Sequence, residues 1–207
     1  MVMSGAVITY HRGMGRWKPD ARGRLAKAAM TLYAEQGFDQ TTVAEIAAGA
    51  GLTERTFFRH FTDKREVLFY GTEMLRDLLT RAVADAPASA TAIDAVSAAF
   101  EAAGAVLQEN PERVRVRDAI VSANAELRER ELIKLATLAS AVATALRDRG
   151  IGEPTASLAA ETGVAVFKAA FARWIAEPGQ ADLPGMIRDS MDALRGMLAG
   201  RLTSSSS

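Results

Sequence analysis

A glycine set between two threonine-led helical runs constrains this chain more than any other feature. Residues 41–61 read TTVAEIAAGAGLTERTFFRHF. Thr41 or Thr42 can cap a short helix over VAEIAAGAG, with Glu45 three residues after Thr42 in the capping-box position. Val43, Ile46 and Ala47 then fall on one buried stripe. Gly51-Leu52 makes a tight turn, and Thr53 caps another helix that runs through Phe61. Two short helices joined by a glycine-containing turn make a helix-turn-helix, whose second helix enters the major groove of DNA.

That second helix is aromatic and basic at once, and the two characters divide by face. Leu52, Phe57 and Phe61 stand five and four residues apart, which points them inward against Ile46 and Ala47. Thr53, Arg55, Thr56, Arg59 and His60 are left for the outer side. Arginine bonds a guanine edge bidentately, threonine meets a base or a thymine methyl, and His60 or Lys64 can reach phosphate. Arg55 and Arg59 alone would read more readily as a solvated helix face, since charged helix faces are common. The cap, the glycine turn and the exposed Thr/Arg set together favour DNA.

The rest of the chain is helical by pattern, and the fold class is all-α with about nine helices. Leu25, Ala28, Ala29, Leu32 and Tyr33 recur at helical spacing from Asp20 and stop at Gly37. After the interruption at Thr62-Asp63, Lys64 is expected to open a long helix whose apolar face, including Val67, Leu75 and Leu79, runs to about Ala84. Further helices are expected over 90–109, 111–122, 126–149, 155–176 and 182–201. No repeat of 20 to 50 residues marks a solenoid. The expected organisation is a flexible N-terminal arm at 1–19, a helix-turn-helix domain at 20–66, a helical body at 67–202 and a disordered tail at 203–207.

Composition excludes several classes. The 207 residues contain no cysteine and only two histidines, His11 and His60, which argues against disulfides, thiolate chemistry and a metal site; no cofactor is implied. No apolar run is long enough for a membrane span, and the first twenty residues lack a signal-peptide pattern, so a cytoplasmic protein is expected. Net charge is zero, yet residues 1–70 carry ten Lys/Arg against seven Asp/Glu, a basic end on an acidic remainder. Catalytic patterns such as GxSxG, HExxH and phosphate-binding glycine loops are missing, and Glu129 and Glu131 diverge on a helix. An enzyme is not expected.

Residues 41–69, TTVAEIAAGAGLTERTFFRHFTDKREVLF, resemble the DNA-binding module of the TetR family of one-component bacterial repressors, and LAKAAMTLYAEQGFDQTT before them is similar to that family's first helix. The resemblance implies three N-terminal helices that bind DNA, joined by a long helix to a C-terminal ligand-binding and dimerisation domain. It implies a homodimer on a palindromic double-stranded operator and an unknown small-molecule effector. Thr42 matches the phosphate-contacting start of the second helix, Thr53, Arg55 and Thr56 match base-reading positions, and His60 and Lys64 match phosphate clamps. Phe58 stands where the family most often has a phosphate-bonding tyrosine, so packing or sugar contact is expected of it.

The body carries weaker signals. Val164, Phe167, Phe171, Trp174 and Ile175 form an aromatic helix, and Leu183, Ile187, Met191, Leu194 and Leu198 a stripe on the last one. These two helices resemble the pair that makes the four-helix interface between TetR-family subunits, which puts Trp174, Ile187, Met191 and Leu194 at the dimer interface. Phe167 and Phe171 are open between core, interface and ligand pocket. Phe100 with its neighbours is either ordinary core or the lining of a cavity. Arg113 and Arg117, one turn apart, are either a solvated face or, at Arg117, the anchor for an anionic ligand group. The body is similar to TetR-like regulators of acyl-CoA-like ligands, so an apolar or acyl effector is expected. The alternative is an architectural or interaction protein that binds DNA with no effector.

Overall fold

The computed structural model describes residues 21–177, 179 and 182–200. The expected arm at 1–19 and tail at 203–207 lie outside them. Among the described residues there are nine α-helices and no strand: α1 (Ala21–Gln36), α2 (Val43–Gly49), α3 (Glu54–His60), α4 (Thr72–Ala84), α5 (Ala92–Gln108), α6 (Pro111–Ala123), α7 (Ala125–Asp148), α8 (Thr155–Ala176) and α9 (Leu183–Leu198), with a 3-10 turn at Glu66–Phe69 between α3 and α4. No helix among them is long and apolar enough to cross a membrane.

Side-chain caps set the starts of four helices, α2, α3, α5 and α7. Thr91 accepts from the Asp94 amide at the start of α5, and Asn124 accepts from the Leu127 amide at the start of α7, each satisfying an amide the helix cannot. Pro111 opens α6, where its missing N–H costs nothing.

Two cores result. Leu25, Ala29, Tyr33, Ile46, Phe57 and Phe61 close the N-terminal unit. In the body, α5 packs against α4, α8 and α9, and α7 against α4 and α8. Val96, Phe100, Val142, Leu146, Trp174 and Ile187 lie at its centre. Gly163 lets α5 and α8 approach closely: a Cβ there would fall against Val96 Cγ1 and within 2.6 Å of Phe100 Cε2.

One helix differs from expectation. The long helix expected from Lys64 begins only at Thr72. Val67, Leu68 and Phe69 are all buried, on different sides of the turn. A 3-10 turn wedged between the N-terminal unit and the body buries all three. Asp63 Oδ1 accepts from the Glu66 amide at 2.9 Å and holds that turn's start.

Candidate nucleic-acid interface

The helix-turn-helix is built from its caps inward. Thr42 and Glu45 form a complete capping box, the Thr42 amide donating to Glu45 Oε2 at 2.8 Å and the Glu45 amide to Thr42 Oγ1 at 3.2 Å. The Thr42 amide foremost, and then the Thr42 hydroxyl, which also donates to Glu45 Oε2 at 2.8 Å, hold the Glu45 carboxyl below its ordinary range. The chain turns at Gly51, whose φ of +64° a side chain would strain, and the Leu52 amide donates back to the Ala47 carbonyl at 2.8 Å. Thr53 then caps α3, accepting from the Thr56 amide, and the two threonine hydroxyls lie 3.1 Å apart, so both are ordered before any ligand arrives.

Phe57 and Phe61 are buried, as their spacing predicts. Thr53, Arg55 and Arg59 are exposed, Thr56 is half-buried, and Phe58 is 56% exposed with its ring set edge-on to Phe57. Neither Arg55 nor Arg59 is hydrogen-bonded or ion-paired to another described residue. Other arginines among the described residues are tied down: Arg149 donates to the Val83, Ala84, Ala86 and Pro87 carbonyls, and Arg188 to Glu101. His60 is half-buried with Nε2 enclosed and unpartnered. An unpaired guanidinium pair beside ordered hydroxyls on an exposed short helix suits base edges and phosphates.

Lys64 departs from the phosphate clamp that the resemblance implies. Its ammonium donates to the carbonyls of Phe38 at 2.9 Å, Asp39 at 3.1 Å and Thr41 at 2.9 Å, and sits 4.7 Å from the Phe38 ring centroid. Three donors are all an ammonium has. Its own carbonyl accepts from Tyr33 Oη at 2.6 Å, and burial together with the Asp63 carboxylate pushes that phenol up, so it stays a donor. Lys64 thereby locks the end of the recognition unit onto the α1–α2 turn.

Residues 25–70 match the family described as bacterial regulatory proteins, tetR family, and residues 90–199, more than half of the chain, match the MftR C-terminal domain. The chain belongs to the TetR family of transcriptional regulators. TcmR of Streptomyces glaucescens, an HTH-type transcriptional regulator, is 36% identical over 81 residues, 39% of this chain and 36% of its own length. KstR2 of Mycobacterium tuberculosis, an HTH-type transcriptional repressor, is 40% identical over 58 residues, 28% of each chain. These matches span about a third of the relatives' length or less. Thermus thermophilus FadR, a TetR-family repressor solved with lauroyl-CoA, superposes with a TM-score of 0.57 at 23% identity over 89% of this chain and 97% of its own, which shows the shared fold. The members of this family are DNA-binding regulators rather than enzymes.

In this TetR-family body several expected residues lie elsewhere than their assigned roles require. Trp174, Ile187 and Met191 are fully buried within the protomer, and Leu194 packs half-buried against the same core. Trp174, Ile187 and Met191 are therefore not a free dimer face, being covered within their own protomer, whereas Leu194 keeps part of its side chain exposed. Phe100, Phe167, Phe171 and Trp174 form a ladder with successive centroids 5.7, 5.6 and 6.0 Å apart, so the expected pocket residues fill one another's space. The best-formed depressions among the described residues are open surface grooves, one of about 450 Å³ beside Arg81, Ala84 and Arg149, away from the ladder. Arg117 is not at a pocket mouth. Its Nε donates to the Leu68 carbonyl at 3.0 Å and its Nη1 to Glu131, at the junction of the body with the 3-10 turn.

Sequence reasoning missed the outward seam of α8. Leu158, Thr162, Ala165, Ala169, Ala172 and Ala176 recur at alternating spacings of four and three and are exposed, Thr162 half so. The spacing was visible, but alanine suits core and surface alike, so only burial separates this stripe from the inner one.

Proposed function

We propose that this regulator represses transcription in the cytoplasm as a homodimer on a palindromic operator, each α3 reading one half-site through Thr53, Arg55, Thr56 and Arg59, with Phe58 against sugar or a thymine methyl and His60 on phosphate. The observation that carries this is the unpaired state of Arg55 and Arg59 on an exposed recognition helix, beside the ordered hydroxyls of Thr53 and Thr56. In this reading the DNA-binding unit includes the 3-10 turn, whose Val67, Leu68 and Phe69 lie in the N-terminal core, and the body begins at α4. The α8 seam supports the dimer, since spacings of four and three keep one stripe facing a partner helix over its length. Met186, Ser190, Ala193 and Met197 continue that pattern on α9, each at least partly exposed. One recognition helix reads few base pairs, and two-fold symmetry doubles the site.

The effector is proposed to be an apolar or acyl compound that enters along the aromatic ladder, the class held by the FadR protein of the same fold. Entry requires α6 to move. Of its thirteen residues only Val121 is buried, so α6 is the body helix least held by the core. The experiment is operator selection from random duplexes, with sedimentation of the complex and a screen of acyl and apolar compounds for thermal shift and DNA release. A palindromic product bound by two chains supports the reading. A monomer on an asymmetric site refutes it, and a dimer that no compound shifts or releases leaves the architectural alternative.

A further inference from the structure

The N-terminal unit and the body meet mainly at one place, and it is not α4. The α6–α7 corner enters the N-terminal core, where Val121 and Leu127 are buried with Phe57, Phe61 and Leu68. Around that contact lies a ring of charge. Glu66 of the 3-10 turn accepts from Arg130 Nη1 at 3.2 Å and from Lys134 Nζ at 2.8 Å, both on α7. Arg130 Nη1 also lies 3.5 Å from Asp63, Arg65 lies 3.1 Å from Glu126, and Arg117 stands 5.2 Å from the Phe69 ring centroid while it holds Leu68 and Glu131. By contrast α4 meets α1 through Glu73, a 63% exposed carboxylate on Arg22.

We propose that Glu66 is a positioning residue for operator recognition: by holding Arg130 and Lys134 together it clamps the 3-10 turn to α7 and so fixes the distance between the two recognition helices of the dimer. Lys64 and Tyr33 make the turn rigid with α1–α3, so the N-terminal unit moves as one body. Its angle to the body is then set by the contacts at α6 and α7. Glu66 is 26% exposed and shared by two cations, which distinguishes it from the isolated surface pairs of the chain. A ligand that displaced α6 would pull on Arg117 and Leu68 and release the same clamp, which gives the signal a route that bypasses α4.

The inference rests on the dimeric reading of the operator, and its test separates the two. Glu66→Gln keeps the side chain's shape and removes its charge. Affinities are measured for three duplexes: the selected operator, the same half-sites moved apart by one base pair, and a single half-site. Glu66→Gln is expected to lower the preference for the selected spacing roughly three- to tenfold, with half-site affinity unchanged. Arg130→Met is expected to do the same, and the double variant no more than either single one. An unchanged spacing preference in Glu66→Gln, even with a lower melting temperature, reduces the clamp to a stabilising contact and overturns the proposal. A parallel fall in half-site affinity overturns it as well. A wild-type protein indifferent to spacing refutes the dimeric reading itself, and the inference falls with it.

Discussion

Replacing Lys64 by methionine removes an ammonium from three carbonyls while keeping most of the side chain's length. Bonds to a charged donor are each worth about 1.5 to 3 kcal/mol, but Asp39 is exposed and water can replace the ammonium at part of the site. The contact with the Phe38 ring adds about 0.5 to 1 kcal/mol. The expected net cost is about 2 to 3 kcal/mol, and at roughly 2 to 4 °C per kcal/mol for a chain of this size the melting temperature should fall by about 5 to 10 °C. Well below that temperature, half-site binding should keep its salt dependence, because Lys64 is expected to neutralise no phosphate. A phosphate clamp would behave in the opposite way, its loss reducing the slope of log affinity against log salt by about 0.9. Thermal unfolding by circular dichroism and a salt titration of half-site affinity measure the two quantities. An unchanged melting temperature with a slope smaller by that amount would refute the structural role.

Three further outcomes are expected. Ala169→Glu, on the outward α8 seam, should give folded monomers in sedimentation, whereas Met191→Glu should lower the melting temperature before any change in assembly, since it buries a charge in the protomer core. Gly163→Ala should cost about 1 to 2 kcal/mol despite the better helix propensity of alanine, because its Cβ meets Val96 and Phe100; denaturant unfolding checks this. In acid, Glu45 and Asp94, whose folded carboxyls sit low through bonds to Thr42 and Thr91, contribute stability that is present above their unfolded range and lost as pH falls through their folded range. Asp118 is raised by burial and by Glu131, so it has the opposite sign, and Asp118→Asn should raise the melting temperature at pH 7 by an amount that closes as pH falls through the carboxylate range.

The helix-turn-helix was legible because its signals are local. A capping box, a glycine at positive φ and two phenylalanines four residues apart each act within a turn or two, and residues 41–61 carry all of them. The body was legible in its helices but not in their faces. The stripe of Ile187, Met191 and Leu194 is apolar whether it meets its own chain or a partner, and the long-range packing of α5 and α8 decides between them. The intramolecular partners of Lys64 and Arg117 were hidden for the same reason. These cations' partners come from residues 14 to 49 positions away, such as Thr41 for Lys64 and Glu131 and Leu68 for Arg117, and no spacing rule reaches that far. The break between Glu66 and Thr72 was hidden by an apolar run that a longer helix also explains.

Base preference in the Arg55→Ala protein tests the central claim most directly, since Arg55 is exposed, unpaired and outside both cores. Binding of the wild type and the variant is measured on the selected operator and on each single-base change within one half-site, at fixed salt. The account predicts that discrimination collapses at one base position, by about 1 to 3 kcal/mol, while preference at the other positions and the stability of the dimer are retained. A variant that binds every duplex as the wild type does would contradict recognition through this face of α3.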